Sequence, residues 1–405
     1  MTEVRALDIL LHDRRIGTIT ALEGDRSIFS FDEAYAQDPD RDTLSLSFKG
    51  RYGDLYTADN RPYQTRLQPF FSNLLPEGAL RDFLAGRTGI NAVREFRLLT
   101  ELGGDLPGAV RALPANADPA TPLQTDLQGA GAADAPKLRF SLAGVQLKFS
   151  ALKNKGKQAG LTIPAQGAGG GWIIKLPSLR LPEVPENEYS MMTIAREIGI
   201  DVPEIDLVGI DTIEGLPEGI ERYGTTAFAI RRFDRTPDGP VHIEDFAQFY
   251  RVYPEAKYDN ASYRAILAAL AIETDERSID QFIRRLTFSV LIGNGDMHLK
   301  NWSLIYRDRR TPQLSPAYDL LSTIPYIPGD EAALKFRKSK AWSSFTYEEL
   351  ATIADKAKVA QGPVLDAARD TVERFDAAWT AGKAGLAITS GLVDCINRHR
   401  NSLLI

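Results

Sequence analysis

Residues 113–136 constrain this chain more than any other stretch. Pro114-Ala-Asn-Ala-Asp-Pro-Ala-Thr-Pro122 and Gly129-Ala-Gly-Ala-Ala-Asp-Ala-Pro136 consist of Pro, Ala, Gly and small polar residues, with almost nothing to bury. Such a segment cannot help to build a core and reads as a mobile linker and domain boundary. The chain therefore folds in parts, and its 405 residues leave room for two or three domains with sizeable cores.

Before the boundary, Ala6–Leu11, Ile16–Ala21 and Ser27–Phe31 are rich in β-branched and aromatic residues, and Asp13-Arg-Arg15 and Glu23-Gly-Asp25 punctuate them as turns. Phe70–Leu80 leads into a helical pattern. Asn91–Leu102 carries apolar residues at helical spacing and stops at Gly103-Gly104. Residues 1–112 thus read as a small α+β accessory subdomain without evident catalytic residues.

After the boundary, Leu138–Phe149 reads as a strand and a small-residue turn at Ala143-Gly144. Gln146 and Lys148 follow it, and Ser141 is the hydroxyl at its mouth. Backbone N–H groups and a cation there could face phosphates, although one glycine also suits a plain hairpin. Trp172-Ile-Ile-Lys-Leu-Pro177 is an apolar strand interrupted by Lys175, which must snorkel or be paired. A partner is at hand in Glu188, near the start of a helix over 186–198 whose Tyr189, Met192, Ala195 and Ile198 face inward. Val202–Ile210 and Thr225–Asp234 are further strands. The second runs into a turn at Asp234–Gly239 that could act as a hinge, with Phe233 as a ring contact or a core residue.

From Ile243 onward the pattern is helical, over 263–272, 279–291, 347–358, 363–378 and 385–404, with a capping box at Ser278-x-x-Gln281. Between the second and third of these helices lies Leu291-Ile-Gly-Asn-Gly-Asp-Met-His-Leu-Lys-Asn-Trp302. Gly293 and Gly295 break the periodicity, and the turn presents Asp296 and then Asn301, with Asp319 eighteen residues further on. An acid, an Asn five residues later and a downstream acid are parts that protein kinases use. One acid serves the hydroxyl nucleophile, while the Asn and the second acid hold Mg²⁺. Asp and Asn beside Gly are also ordinary turn residues.

Composition excludes several alternatives. A net charge of −6 argues against a stand-alone nucleic-acid binder, and one cysteine rules out a disulfide framework. Neither a signal-peptide pattern nor a long apolar run is evident, so a cytoplasmic, non-membrane protein is expected.

In order, the motifs are Ser141–Lys148, Ile173–Pro177, Glu186-Asn-Glu188, Arg232-Phe-Asp-Arg235, His242–Phe246, Gly293–Asn301 and Tyr318-Asp-Leu320. Asn73–Gly78 and Leu102–Val110 join them from the accessory region. With them the chain resembles the HipA family of serine/threonine kinase toxins from bacterial toxin–antitoxin modules. The resemblance implies an α+β, protein-kinase-like two-lobed fold, with a β-rich N-lobe (137–237) and a helical C-lobe (238–405) after the accessory subdomain and linker. It implies ATP and Mg²⁺ as cofactors, Asp296 as catalytic base, and Asn301 and Asp319 as metal ligands. An ATP site would comprise Ala143, Gly144, Val145, Gln146, Lys148, Lys175, Glu188, Arg232, Phe233, His298, Lys300, Asn301 and Asp319, and Ser141 would be autophosphorylated. Implied partners are a HipB-like helix-turn-helix antitoxin, operator DNA through that complex, and a protein substrate such as glutamyl-tRNA synthetase. Met297 and Leu147 depart from the family pattern, where a small and an acidic residue are expected. A small-molecule phosphotransferase and a catalytically silent co-repressor remain as alternatives.

Overall fold

The computed structural model describes residues 4–59, 61–115, 148–153, 161–162, 170–178, 180–216 and 219–405. The chain starts with β1 (Ala6–Leu11), β2 (Arg14–Leu22) and β3 (Arg26–Phe31), then α1 (Glu33–Ala36), β4 (Tyr63–Gln64), α2 (Pro69–Ser72), α3 (Gly78–Thr88), α4 (Glu95–Leu102) and β5 (Val110–Pro114). The five strands form an antiparallel sheet in the order β4-β3-β2-β1-β5. Alternation sends Leu7, Ile9 and Leu11 of β1 into one core with Phe29, Phe70, Phe71, Leu98 and Leu99. β5 carries the chain through Leu113 and Pro114, into the segment expected as linker. The rest of that segment, 116–136, lies outside the described residues.

A second sheet follows, from β6 (Lys148–Lys153), β7 (Leu161–Thr162), β8 (Trp172–Lys175), β9 (Ile205–Gly209), β10 (Ile213–Glu214) and β11 (Thr226–Arg231), in the order β10-β7-β6-β8-β11-β9. The strand period of two separates its faces. Ala227 and Ala229 enter one cluster with Ile174 and Leu176, whereas Phe228 and Ile230 enter the large core shared with the helices. The helix α5 (Val184–Glu197) inserts Met191, Met192, Ile194 and Ala195 into that large core.

The remainder holds the hairpin β12 (Arg235–Thr236) and β13 (Gly239–Pro240), then β14 (His242–Asp245), α6 (Phe246–Phe249), α7 (Tyr263–Glu273), α8 (Glu276–Leu291), β15 (Ser303–Tyr306), β16 (Gln313–Leu314), α9 (Tyr347–Ala357), α10 (Gln361–Gly382) and α11 (Ser390–Ser402). Phe282, Leu286, Phe288 and Leu291 of α8 are almost fully buried, each contributing about 1.5–3 kcal/mol by its transfer from water. No helix among the described residues is long and apolar enough to cross a membrane.

Two local expectations need correction. His242–Asp245 is a strand, not helix, because it pairs antiparallel with β15, and helix begins only at Phe246 under an Asp245–Gln248 capping box. The cap of α8 is Asp275, whose carboxylate accepts from Ser278 N–H at 2.8 Å. Ser278 lies inside the helix, and Gln281 is spent on Asp201 N–H. The architecture is the expected one: α+β, kinase-like and two-lobed, with an α+β unit in front.

Candidate active site

Lys175 ends β8, between β6 and β11, where it lies opposite Lys148 and Phe228. Its side chain is 9% exposed, and Nζ donates both to Glu188 Oε1 at 2.6 Å and to Asp319 Oδ1. Burial opposes the charge on Lys175, but Asp319 and Glu188 outweigh it and keep the ammonium protonated. Burial drives Glu188 up to about 7 against the pull of Lys175, with Asp319 adding to the rise. Asp319 is only partly buried, which opposes its charge, yet Lys175 and Lys148 hold its carboxyl down near about 2. One buried ammonium therefore serves two carboxylates. Asp319 also adopts φ +54°, a left-handed conformation that a non-glycine residue reaches at a cost of order 1–3 kcal/mol.

The loop after α8 is pinned against the segment that follows Asp319. Gly293 sits at φ +65°, and a Cβ there would come within 2.6 Å of Ile324 Cδ1. Its carbonyl accepts from Thr323 N–H at 3.0 Å, and Gly295 N–H donates to Thr323 Oγ1 at 2.7 Å. Asn294 reaches the Asp319 carbonyl at 3.3 Å. These bonds hold the loop that carries Asp296 and Asn301 against the segment that carries Asp319. Asn301 Nδ2 donates to the Asp296 carbonyl at 2.7 Å, which commits its amide nitrogen and leaves the amide oxygen for a cation. Met297 is buried, and its carbonyl accepts from Tyr263 and from Trp302, so the core absorbs this departure from the family pattern.

Asp296 has a partner that the sequence did not reveal. The Tyr258 hydroxyl donates to Asp296 Oδ1, and its ring meets His298 edge-on at 4.9 Å. Burial raises the Asp296 pKa, the bond from Tyr258 lowers it, and Asp319 raises it again, with a net rise. His298 is buried and neutral, its pKa pushed down to about 3 by burial and by Lys257. Nothing in Lys257-Tyr258 marks it as a site by residue type; only the fold brings it to the loop.

The other expected residues divide. Lys148 is exposed at the start of β6, and Phe233 lies against Tyr318 with ring centroids 5.8 Å apart. Lys300 is turned to the accessory subdomain, where Nζ meets the Asn73 carbonyl at 2.9 Å and Glu77 at 3.0 Å. Arg232 is buried in a bidentate pair with Asp234 at 2.9 and 3.0 Å, and lies 3.5 Å from Asp105. Ser141, Ala143, Gly144, Val145, Gln146 and Leu147 lie outside the described residues.

Asp319 and the Asn301 amide oxygen are the hard donors that could hold a divalent cation. No metal-holding group of three or more His, Cys, Asp or Glu occurs among the described residues. A two-residue protein share fits Mg²⁺, which keeps several waters and binds substrate phosphates as well.

Residues 140–379 match the HipA-like C-terminal domain, and residues 7–113 match the HipA N-terminal domain. The chain is 56% identical over 400 residues to Y4dM of Sinorhizobium fredii, a protein named as a candidate kinase, covering 98% of this chain and 97% of that one. It is 26% identical over 309 residues to the serine/threonine-protein kinase toxin HipA of Shewanella oneidensis, covering 66% of each. A solved Shewanella oneidensis MR-1 toxin–antitoxin complex of HipA, HipB and operator DNA superposes with a TM-score of 0.73 at 20% identity. That match covers 98% of this chain and 95% of the other, and the likeness is one of fold.

Proposed function

The chain belongs to the HipA family, and we propose that it is a Mg²⁺/ATP-dependent serine/threonine protein kinase acting as the toxin of a toxin–antitoxin pair. The observation that carries this reading is Lys175 held between Glu188 and Asp319, beside the loop of Asp296 and Asn301. Mg·ATP, when bound, supplies the phosphoryl group and the cationic charge that its oxygens need. Lys175 would engage nucleotide phosphates, held in place by Glu188 from the far side. Asp319 and Asn301 would hold the metal. Asp296 would take the proton from an acceptor hydroxyl at the carboxylate oxygen where Tyr258 now donates. Autophosphorylation of Ser141 belongs to the same proposal.

The proposed partner rests on the likeness to the solved complex of HipA, HipB and operator DNA, and charge is consistent with it. At −6 the chain alone has little means to displace counterions from duplex DNA. Lys335, Arg337, Lys338 and Lys340 form a basic cluster, but in it Arg337 is paired with Glu349 at 3.1 Å and Lys340 donates to the Tyr258 carbonyl at 3.2 Å. A HipB-like helix-turn-helix antitoxin would supply the groove contacts and neutralise the kinase. The acceptor would be a cytoplasmic protein, with glutamyl-tRNA synthetase as the first candidate. Phosphoproteomics after induction of the chain alone, beside Asp296→Asn, tests this reading. New phosphoserine or phosphothreonine on one or a few proteins, absent in the mutant, is expected. A phosphorylated small molecule with no new protein phosphosite would contradict it and favour the phosphotransferase alternative.

A further inference from the structure

Glu77 stands at the end of Asn73-Leu-Leu-Pro-Glu77, in the accessory subdomain, on a rigid mount. Asn73 Nδ2 donates to the Pro69 carbonyl and to the Val252 carbonyl of the helical lobe, each at 2.8 Å. Leu74 and Leu75 are buried, and Pro76 fixes the backbone that follows them. Gly78, at φ +53°, then turns the chain into α3. The mount directs the Glu77 carboxylate at two lysines of the other lobe: Lys257 at 2.9 Å and Lys300 at 3.0 Å.

Both lysines belong to the walls of the candidate site. Lys257 precedes Tyr258, which donates to Asp296, and the Lys257 carbonyl accepts from Leu299 N–H within the loop at 3.3 Å. Lys300 precedes Asn301, and its own carbonyl accepts from Tyr318, next to Asp319, at 2.8 Å. Other ion pairs cross from the accessory subdomain to the helical lobe, such as Lys49–Glu273 at 2.6 Å and Arg66–Glu255 at 3.1 Å, but neither touches a residue of the site. Burial opposes ionisation of Glu77, yet Lys300 and Lys257 hold its carboxyl down near about 2, so the clamp is charged at neutral pH.

We propose that Glu77 is a positioning residue for phosphoryl transfer: from the accessory subdomain it clamps Lys257 and Lys300, and through them sets Tyr258, Asp296 and Asn301. The accessory subdomain would thus complete the catalytic loop as well as pack beside it. This inference rests on the kinase reading given above. Misplacement of reacting groups by about 1 Å can cost on the order of 10²-fold in rate without touching ground-state binding.

Transfer of the γ-phosphoryl group from Mg·ATP to the hydroxyl of a supplied serine peptide or of the chain itself, with release of ADP, tests it on the full chain, with affinity for a non-hydrolysable ATP analogue measured by calorimetry. Glu77→Gln keeps the shape and removes the charge. It should lower kcat by about 10- to 100-fold while the analogue Kd changes less than about threefold. Glu77→Asp, which keeps the charge, should recover at least about a third of the lost rate on the same scale. Wild-type kcat in Glu77→Gln would overturn the proposal. So would equal losses in both variants with a lowered melting temperature and a weakened analogue Kd, which mark a purely structural contact. A wild-type chain that transfers phosphoryl to neither acceptor would overturn the kinase reading and this inference with it.

Discussion

Two buried charge assemblies lie on either side of the sheet-rich lobe, and they are built differently. At the junction with the accessory subdomain, Arg232 and Arg235 meet Asp234 and Asp105. Arg235 adds bonds to the Gly108 and Leu106 carbonyls at 2.8 Å, and Gly108 N–H returns one to Asp234 at 2.9 Å. Two cations face two anions, and backbone groups take up spare donors and acceptors. Between the lobes, among the described residues, Lys175 alone donates to both Glu188 and Asp319, with Lys148 acting on them only through space, and Asp319 holds a left-handed backbone. A balanced, saturated network needs nothing more and serves as a joint. An unbalanced, strained one is stable only as part of something larger, and a cation together with phosphates would complete it.

Removing charge from each assembly separates the two roles. The largest effect on stability belongs to the joint. Asp234→Asn leaves two guanidiniums short of their shared carboxylate and should cost about 3–5 kcal/mol of unfolding free energy. Nucleotide affinity should stay within about twofold, because Asp234 touches no member of the Lys175 triad. Urea unfolding and calorimetry check both halves, and a mutant of wild-type stability would make the joint an ornament of the surface charge. At the site the pattern reverses. Asp319→Asn should weaken Mg·ATP binding by about tenfold or more, roughly 1.4 kcal/mol. Stability without ligand should fall by no more than about 2 kcal/mol, less than at the joint, because the favoured charge of Asp319 is lost while Lys175 keeps Glu188. A large loss of stability with unchanged affinity would assign Asp319 to the scaffold.

A smaller effect sharpens the same contrast through pH. Glu244 in β14 is fully buried at the accessory junction and accepts from the Ser45 hydroxyl, Leu46 N–H and the Tyr306 hydroxyl. Burial lifts its pKa from the ordinary 4.5 to about 7, against those bonds. The folded state therefore keeps a proton that the unfolded chain releases. Stability from this group is greatest below about 4.5 and declines as pH rises towards about 7. Glu244→Gln should flatten that decline in chemical denaturation measured across this window. Some slope should survive, because Glu188 is raised in the same direction. An unchanged slope in the mutant would move the titration elsewhere.

Legibility in the sequence followed the range of the interactions. β1, β2 and β3 could be read because alternation and turn residues are local, and the stripe on α5 because it repeats along one helix. Lys175, Glu188, Asp296, Asn301 and Asp319 were recognisable as a set because their spacing carries a mechanism, and the fold brings them together. What escaped was set by tertiary pairing. His242–Asp245 reads as helix in isolation and becomes a strand only because β15 lies beside it. Asn73–Gly78 was visible as a motif, but nothing local says that Glu77 meets Lys257 and Lys300, far along the chain. Arg232, expected at the nucleotide, is held by Asp234 two residues on, a pairing that spacing alone does not distinguish from a phosphate contact.

The central assignment turns on Asp296, and steady-state transfer from γ-labelled ATP in Mg²⁺ tests it most directly. With wild type and Asp296→Asn compared as full chains, transfer by the mutant should be slower by about 10²–10⁴-fold, the usual worth of general base catalysis. Its affinity for Mg·ATP should remain within about threefold of wild type, because the lost carboxylate acts on the acceptor hydroxyl and not on the metal. Wild-type transfer rates in Asp296→Asn would contradict the assignment.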